Sequence, residues 1–186
     1  VAWIADNAGL LTDLVARSNY GGHTIFADWA SPVLWPPSGI SVGQMSNITN
    51  AYGFYVPGLS LIVRARPSQW VGAYPTGVDA VMCQYSYWAA GGRTPAQFRD
   101  YEVPIARARG WRILLVINLK NGGTVRNTFM TASQVEDALV AFADPSCADI
   151  LDGTGVGFTY NGSGGWLDDP DYQNALATGR NALAAL

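Results

Sequence analysis

The sequence predicts an α/β protein built on a parallel β-sheet. Five short apolar segments are separated by stretches with helical periodicity, and capping residues mark several helix starts. The segment 110–124 shows the pattern most clearly, because an unbroken apolar run from Ile113 to Ile117 ends in Asn118, Lys120 and a pair of glycines. Such a run is typical of a strand covered on both faces. Repeated βα units of this kind form either a (β/α)8 barrel or an open, doubly wound sheet.

The composition indicates one globular domain, which we take to cover residues 1–186. Hydrophobic residues make up 49% of the chain and charged residues 13%, a balance that allows a sizeable core. The net charge of −3 argues against binding to nucleic acid, which calls for basic patches. No apolar run of about 18 residues predicts a membrane span. The first residues lack the features of a signal peptide, as a mature secreted chain also would, so an extracellular location fits the sequence.

Helices and strands alternate along the chain. A helix from Ala5 to Tyr20 is predicted before the first strand, and Asp169 with Pro170 starts the last helix. Strands are expected near 23–28, 59–65, 79–85, 112–118 and 156–160. Helix starts between the strands are predicted by capping boxes at Ser41 with Gln44, Thr94 with Gln97, and Ser133 with Glu136. A complete barrel has eight such units in about 250 residues, so either three units are missing here or the sheet is open.

Cysteine and histidine are too few to predict a metal site or a redox site. Cys83 falls within a predicted strand and Cys147 in a loop, and free, buried thiols are expected at both. The single histidine, His23, cannot form a typical zinc site alone. The sequence therefore predicts no metal and no other cofactor.

Three segments together carry a family resemblance. They are Ile62 to Ser68 (IVRARPS), the pair Gln84-Tyr85, and Leu115 to Leu119 (LVINL) followed by Asn121-Gly122-Gly123-Thr124. In this order and spacing, across about residues 22–160, the chain resembles uncharacterised bacterial proteins with a glycoside-hydrolase-like (β/α) TIM barrel. The resemblance implies strands four to eight of such a barrel, preceded by its third helix.

The chain departs from that family at two strand ends. The family's fourth strand ends in Asp-Glu-Pro, where this sequence has Asp28-Trp29-Ala30. Its seventh strand ends in Asp before two glycines, where this sequence has Asn121. Both differences remove a carboxylate from the end of a strand.

Glycoside hydrolysis needs two carboxyl groups about 5 to 10 Å apart, and this sequence supplies only one clear candidate. Asp28 is the single carboxylate at the carboxyl end of a predicted strand, and we predict it to be the catalytic residue. The two glutamates, Glu102 and Glu136, fall inside predicted helices, far from strand ends. A second carboxylate is therefore either absent or supplied by a segment outside this chain.

Polar and aromatic residues near the strand ends form the predicted substrate-binding set. Aromatic rings stack on sugar faces and amides bind hydroxyl groups, although packing of loops and satisfaction of backbone groups explain the same residues. Two arginines at alternate strand positions share one side and would bind an anion or pair with Asp28. The set is Trp29, Arg64, Arg66, Gln84, Tyr85, Trp88, Asn118, Lys120, Tyr160 and Asn161.

Three functions follow from these residues. The first is an enzyme that hydrolyses a glycosidic bond through Asp28, and the second is a carbohydrate-binding or structural module without catalysis. The third is lyase chemistry through a Schiff base at Lys120, for which a solvated lysine is the plainer interpretation. In an open barrel the first and last strands have free edges, so association with another copy or with a missing N-terminal segment is expected.

Overall fold

Five strands form one parallel sheet in the order in which they occur along the chain. The structure is a computed structural model that describes residues 1–17, 23–27, 41–57, 59–87, 90–119, 128–157 and 168–186. The strands are β1 (His23–Ala27), β2 (Leu59–Arg64), β3 (Ala80–Tyr85), β4 (Arg112–Asn118) and β5 (Leu151–Gly157). All four neighbouring pairs are parallel. The predicted parallel α/β architecture is confirmed.

The strand order separates the two predicted architectures. A doubly wound sheet reverses its strand order at a switch point, whereas a barrel adds each new strand on the same side. Among the described strands the order runs from β1 to β5 without reversal. The doubly wound alternative therefore does not hold for them, and a closed barrel is not formed by these five strands.

The start of the fifth strand was predicted wrongly. β5 begins at Leu151, five residues before the predicted start, so Asp152 lies inside the strand. The reason is local: Gly153 and Gly155 interrupt the apolar pattern, and glycine is a poor indicator of a strand. Pairing with β4 supplies the backbone hydrogen bonds that define this strand.

Six α-helices accompany the sheet in the described ranges. They are α1 (Ala2–Asp6), α2 (Ala8–Arg17), α3 (Val42–Tyr55), α4 (Pro95–Ala108), α5 (Ala132–Phe142) and α6 (Pro170–Leu183). Short 3-10 turns cover Pro67–Gln69 and Pro145–Cys147. The single helix predicted from Ala5 to Tyr20 is two helices, since Asn7 ends α1 and its side-chain amide donates to the Trp3 carbonyl at 2.8 Å. Asparagine competes for backbone partners in this way and favours helix ends.

Two of the three predicted capping boxes are confirmed, at Ser41 with Gln44 and at Thr94 with Gln97. The third is wrong, because α5 is capped by Thr131 with Gln134, two residues before the predicted pair. This earlier start places the buried Met130 before the cap and the buried Val135 four residues after it, which are the positions of a hydrophobic staple. Asp169 caps α6 as predicted, by accepting from the Asp171 N–H at 2.9 Å.

The main core lies between one face of the sheet and the helices α4 and α5. Alternate strand residues, such as Val81, Cys83 and Leu115, are buried in one cluster with Phe98 of α4 and Phe142 of α5. Each large aliphatic side chain buried in this way stabilises the fold by about 1.5–3 kcal/mol. Both cysteines are free and buried, as predicted. Burial raises the pKa of the Cys83 thiol well above its ordinary value.

Candidate functional site

Side chains alternate between the two faces of the sheet, and the face opposite α4 and α5 carries polar groups. The helix-covered core includes Val63 of β2, Ala65 just after the end of β2, and Cys83 of β3. By alternation, Arg64 and Gln84 point to the other face. We call this second surface the Arg64 face and define it by Arg64, Met82 and Gln84. All three side chains are half-buried.

Arg64 and Gln84 contact each other across neighbouring strands. The Arg64 Nη2 donates to the Gln84 Oε1 at 3.0 Å. The register sets Arg64 beside Met82, so Gln84 lies two residues further toward the carboxyl end of β3. These predicted binding residues are thus brought together at the end of the sheet where parallel α/β proteins place their sites. The amide oxygen of Gln84 thus orients a guanidinium, which is a planar group with five N–H donors.

The chain leaves β2 through a turn that a buried carboxylate holds in place. The Arg66 N–H donates to Gln69 Oε1 at 2.8 Å, which starts the 3-10 turn Pro67–Gln69. The next residue, Ser68, donates its N–H to Glu102 Oε2 at 2.8 Å and its hydroxyl to Glu102 Oε1 at 2.6 Å. Glu102 lies on α4 and is fully buried. Its carboxylate therefore anchors the segment that follows the two arginines.

From the sequence, Glu102 was weighed only as a catalytic carboxylate and set aside, because it falls inside a predicted helix far from any strand end. The structure instead gives it a positioning role in the helix layer, 34 residues along the chain from its partner Ser68. One sequence signal was available, because Glu102 falls on the apolar stripe of α4, four residues after the buried Phe98. A charged residue in such a stripe is rarely buried without a partner.

Tyr85 lies on the opposite face from its neighbour Gln84. Its ring is buried against Phe98, with the ring centroids 5.1 Å apart in an edge-to-face arrangement. Its hydroxyl donates to the Arg93 carbonyl at 3.1 Å. Burial, with smaller contributions from Tyr87 and Asp137, raises the pKa of Tyr85 to about 12. Tyr85 is therefore not part of the cluster that Arg64 and Gln84 form.

A concavity, which we call the side pocket, opens between the end of β3 and the starts of α4 and α5. Its volume is about 220 Å³. Its lining includes Tyr85, Tyr87, Thr94, Pro95, Met130, Gln134 and Asp137. The sequence did not predict this site, because its walls come from three elements and the only expected binding residue among them is Tyr85.

Several predicted residues lie outside the described part of the chain. They are Asp28, Trp29, Trp88, Lys120, Tyr160 and Asn161. Asn118 is the last residue of β4 and its backbone pairs with Gly157, but its side chain is also outside what the structure describes. The roles of these residues stay predictions.

Among the described residues, no group of three or more His, Cys, Asp or Glu side chains is placed to hold a metal ion. None of the helices in the described ranges is both long and apolar enough to cross a membrane.

Comparison with known proteins gives one distant likeness. No family model matches the sequence, and no curated protein matches it. Among solved structures, bee venom hyaluronidase in complex with a hyaluronic acid tetramer is similar over 99% of this chain, with a TM-score of 0.45 and 14% sequence identity. The chain spans 61% of that hyaluronidase chain. A TM-score of this size does not establish a shared fold.

Proposed function

We propose that this chain is a carbohydrate-active protein of the partial (β/α) barrel type, and that it hydrolyses a glycosidic bond. The observation that carries the proposal is the hydrogen-bonded pair of Arg64 and Gln84 at the carboxyl end of the sheet. A planar guanidinium and an amide side by side bind polar ligands through several directed hydrogen bonds, as sugar hydroxyls and carboxylates require. Half-burial of both side chains strengthens such bonds relative to bulk water.

Asp28 is the proposed catalytic carboxylate. The pairing of β1 with β2 ends where Ala27 lies beside Val63. The next residues in the sequence after these two are Asp28 and Arg64. A carboxylate near a guanidinium stays ionised, which suits a nucleophile or an electrostatic stabiliser better than a general acid. The amide and aromatic residues predicted from the sequence would then contact hydroxyl groups and sugar faces: Trp29, Trp88, Asn118, Tyr160 and Asn161.

The sheet also supports the proposed relation to a barrel. Its strands follow one another without reversal, which is the way a (β/α)8 barrel is wound. Within the described residues β1 and β5 are the outer strands of the sheet. We propose that additional strands, from another copy or from a segment outside this chain, pair with these edges and complete the barrel.

The test is a screen of oligosaccharides for binding by calorimetry and for hydrolysis, repeated with matched variants. Asp28→Asn should abolish hydrolysis and retain binding. Arg64→Ala should weaken binding about 10-fold or more, since a hydrogen bond to a charged group contributes about 1.5–3 kcal/mol. The matched control is Arg112→Ala, because Arg112 starts β4 and lies at the other end of the strands. Full activity in Asp28→Asn would overturn the catalytic assignment, and equal losses in both arginine variants would overturn the binding site.

One observation favours the alternative, a carbohydrate-binding module without catalysis. Glu102, one of the two glutamates of the chain, accepts hydrogen bonds from the N–H and the hydroxyl of Ser68 in the helix layer, so this carboxylate is engaged away from the Arg64 face. A retaining or inverting hydrolase needs two carboxyl groups in the site. The binding module would be supported if the protein bound a sugar in a way that depends on Arg64 and hydrolysed no oligosaccharide in any oligomeric form.

A further inference from the structure

We propose that the side pocket binds small organic cations, of the quaternary ammonium type. The pocket lies on the helix side of the sheet, whereas the proposed carbohydrate site lies on the Arg64 face. Strand alternation separates the two, since Tyr85 and Gln84 are neighbours in β3 and point to opposite faces. The inference therefore does not rest on the proposed function.

The wall formed by the end of β3 is held in place before any ligand binds. The Tyr85 hydroxyl is fixed by the Arg93 carbonyl at 3.1 Å, and its ring by Phe98. The backbone at Tyr87 is held as well, because its carbonyl accepts from the Gly92 N–H at 3.0 Å. Gly92 has a φ of 78°, a conformation that favours glycine. The Tyr85 side chain and the Tyr87 backbone are thus both held by hydrogen bonds to residues 92–93.

The opposite wall is equally constrained. Met130 is buried, and its N–H donates to the Leu119 carbonyl at 2.9 Å. The Met130 carbonyl accepts a hydrogen bond from the hydroxyl of Tyr172, which lies on α6. Gln134 is fixed by the capping box of α5, where its Oε1 accepts from the Thr131 N–H at 2.8 Å. A pocket with rigid walls loses little entropy on binding, which favours even a small ligand.

The chemistry of the lining selects a cation. The half-buried Tyr87 and Pro95 provide apolar and polarisable surface, the buried Tyr85 and Met130 complete the apolar lining, and Asp137 is the only charged side chain among the described lining residues. An aromatic ring combined with a carboxylate attracts organic ammonium groups, whereas an anion would be repelled. The one arginine of the adjoining loop, Arg93, is directed elsewhere, with its guanidinium 4.4 Å from the centroid of the Tyr101 ring.

The size of the pocket limits the ligand to a compact group. Sites for drug-sized ligands typically measure about 300–1,000 Å³, and the side pocket is smaller, at about 220 Å³. A trimethylammonium headgroup is compact, apolar on its surface and positively charged. It matches the pocket in all three properties.

The experiment is a titration followed by NMR of the methionine methyl groups, with choline as the probe. The chain has three methionines. Met130 lines the side pocket, Met82 lies on the Arg64 face, and Met45 is buried on α3. The matched ligand is 3,3-dimethyl-1-butanol, which has the shape of choline without its charge. We expect choline to shift the Met130 methyl resonance selectively and to bind about 3- to 5-fold more tightly than the neutral alcohol.

Two variants test the contribution of the Asp137 carboxylate to binding. Asp137→Asn should remove the preference for choline over the alcohol, whereas Glu136→Gln, on the same helix but outside the lining, should preserve it. Equal binding of the two ligands by the unmodified protein would overturn the proposal, even if Asp137→Asn failed to fold. The same holds if the Met130 methyl resonance does not move at choline concentrations up to about 50 mM, or if Met82 or Met45 moves in its place.

Discussion

The buried carboxylate of Glu102 offers the sharpest test of how the fold positions the Arg64 face. It accepts two hydrogen bonds from Ser68, at 2.8 Å from the N–H and 2.6 Å from the hydroxyl. Ser68 is four residues beyond Arg64, so these bonds fix where the chain turns after β2. We predict that Glu102→Ala lowers the free energy of unfolding by about 3 kcal/mol.

The magnitude follows from the two bonds. A hydrogen bond to a charged group contributes about 1.5–3 kcal/mol, and the lower value applies here because Ser68 is half-buried and water can replace part of the loss. Release of a buried charge offsets some of the cost, and the cavity left by the side chain adds to it. Glu102→Gln should cost only about 1 kcal/mol, since its amide oxygen can accept from the Ser68 N–H while its NH₂ donates to the hydroxyl oxygen.

The free energy of unfolding of both variants is measured by urea unfolding, with tryptophan fluorescence as the signal. For a domain of this size, a loss of 3 kcal/mol lowers Tm by about 6–12 °C. Glu136→Ala is the control, because Glu136 is a half-buried glutamate on α5, and it should change stability by less than about 0.5 kcal/mol. If Glu102→Ala were as stable as the control, the turn would not depend on this carboxylate. If Glu102→Gln lost as much as Glu102→Ala, the negative charge and not the two hydrogen bonds would be responsible.

Two further predictions concern packing and ionisation. A Cβ at Gly179 of α6 would lie 2.4 Å from the Leu139 Cβ of α5, so Gly179→Ala should lose about 1–3 kcal/mol in urea unfolding. Gly43→Ala on α3 should instead gain up to about 1 kcal/mol, since no described atom lies within 4 Å of its Cβ; a similar loss in both would refute the packing argument. Tyr85→Phe should cost about 1 kcal/mol at neutral pH through loss of the bond to Arg93. Because burial raises the pKa of Tyr85 to about 12, the neutral phenol stabilises the fold fully below about pH 10, and this contribution is lost as the pH rises toward 12. The stability gap between the wild type and Tyr85→Phe should therefore shrink across that range, and a constant gap would contradict the reasoning.

The strands were predictable to the extent that both of their faces are buried. The run from Ile113 to Ile117 is apolar throughout, because helices cover one face and the side chains of Leu114 and Val116 on the other face are half-buried or buried, and its bounds were predicted closely. β5 has glycines at three of its seven positions, so its identity as a strand depends on pairing with β4, which a local pattern does not contain. The prediction was accurate for β4, where the local apolar pattern and the burial of the strand agree. It failed for the start of β5, where only the pairing with β4 defines the strand.

The same distinction explains the cap of α5. Two overlapping motifs, Thr131 with Gln134 and Ser133 with Glu136, satisfy the capping-box pattern equally well. Burial of Met130 and Val135 selects the first, and this requires knowledge of which side chains reach the core. The link from Glu102 to Ser68 is a stronger case, because neither residue shows in the sequence that the other is its partner.

Two separate things decide which site a strand residue joins. One is how far along the strand the residue lies, and the other is the face of the sheet to which its side chain points. Arg64 and Gln84 lie near the carboxyl ends of β2 and β3, whereas alternation along β3 assigns Tyr85 to the other face. Gln84 joins Arg64 on one face, and Tyr85 joins the side pocket on the other. A ligand that stacks on Tyr85 therefore cannot be the ligand that Arg64 binds, because a layer of backbone lies between the two side chains. Two adjacent residues of one strand thus support two independent binding proposals, each with a probe of its own.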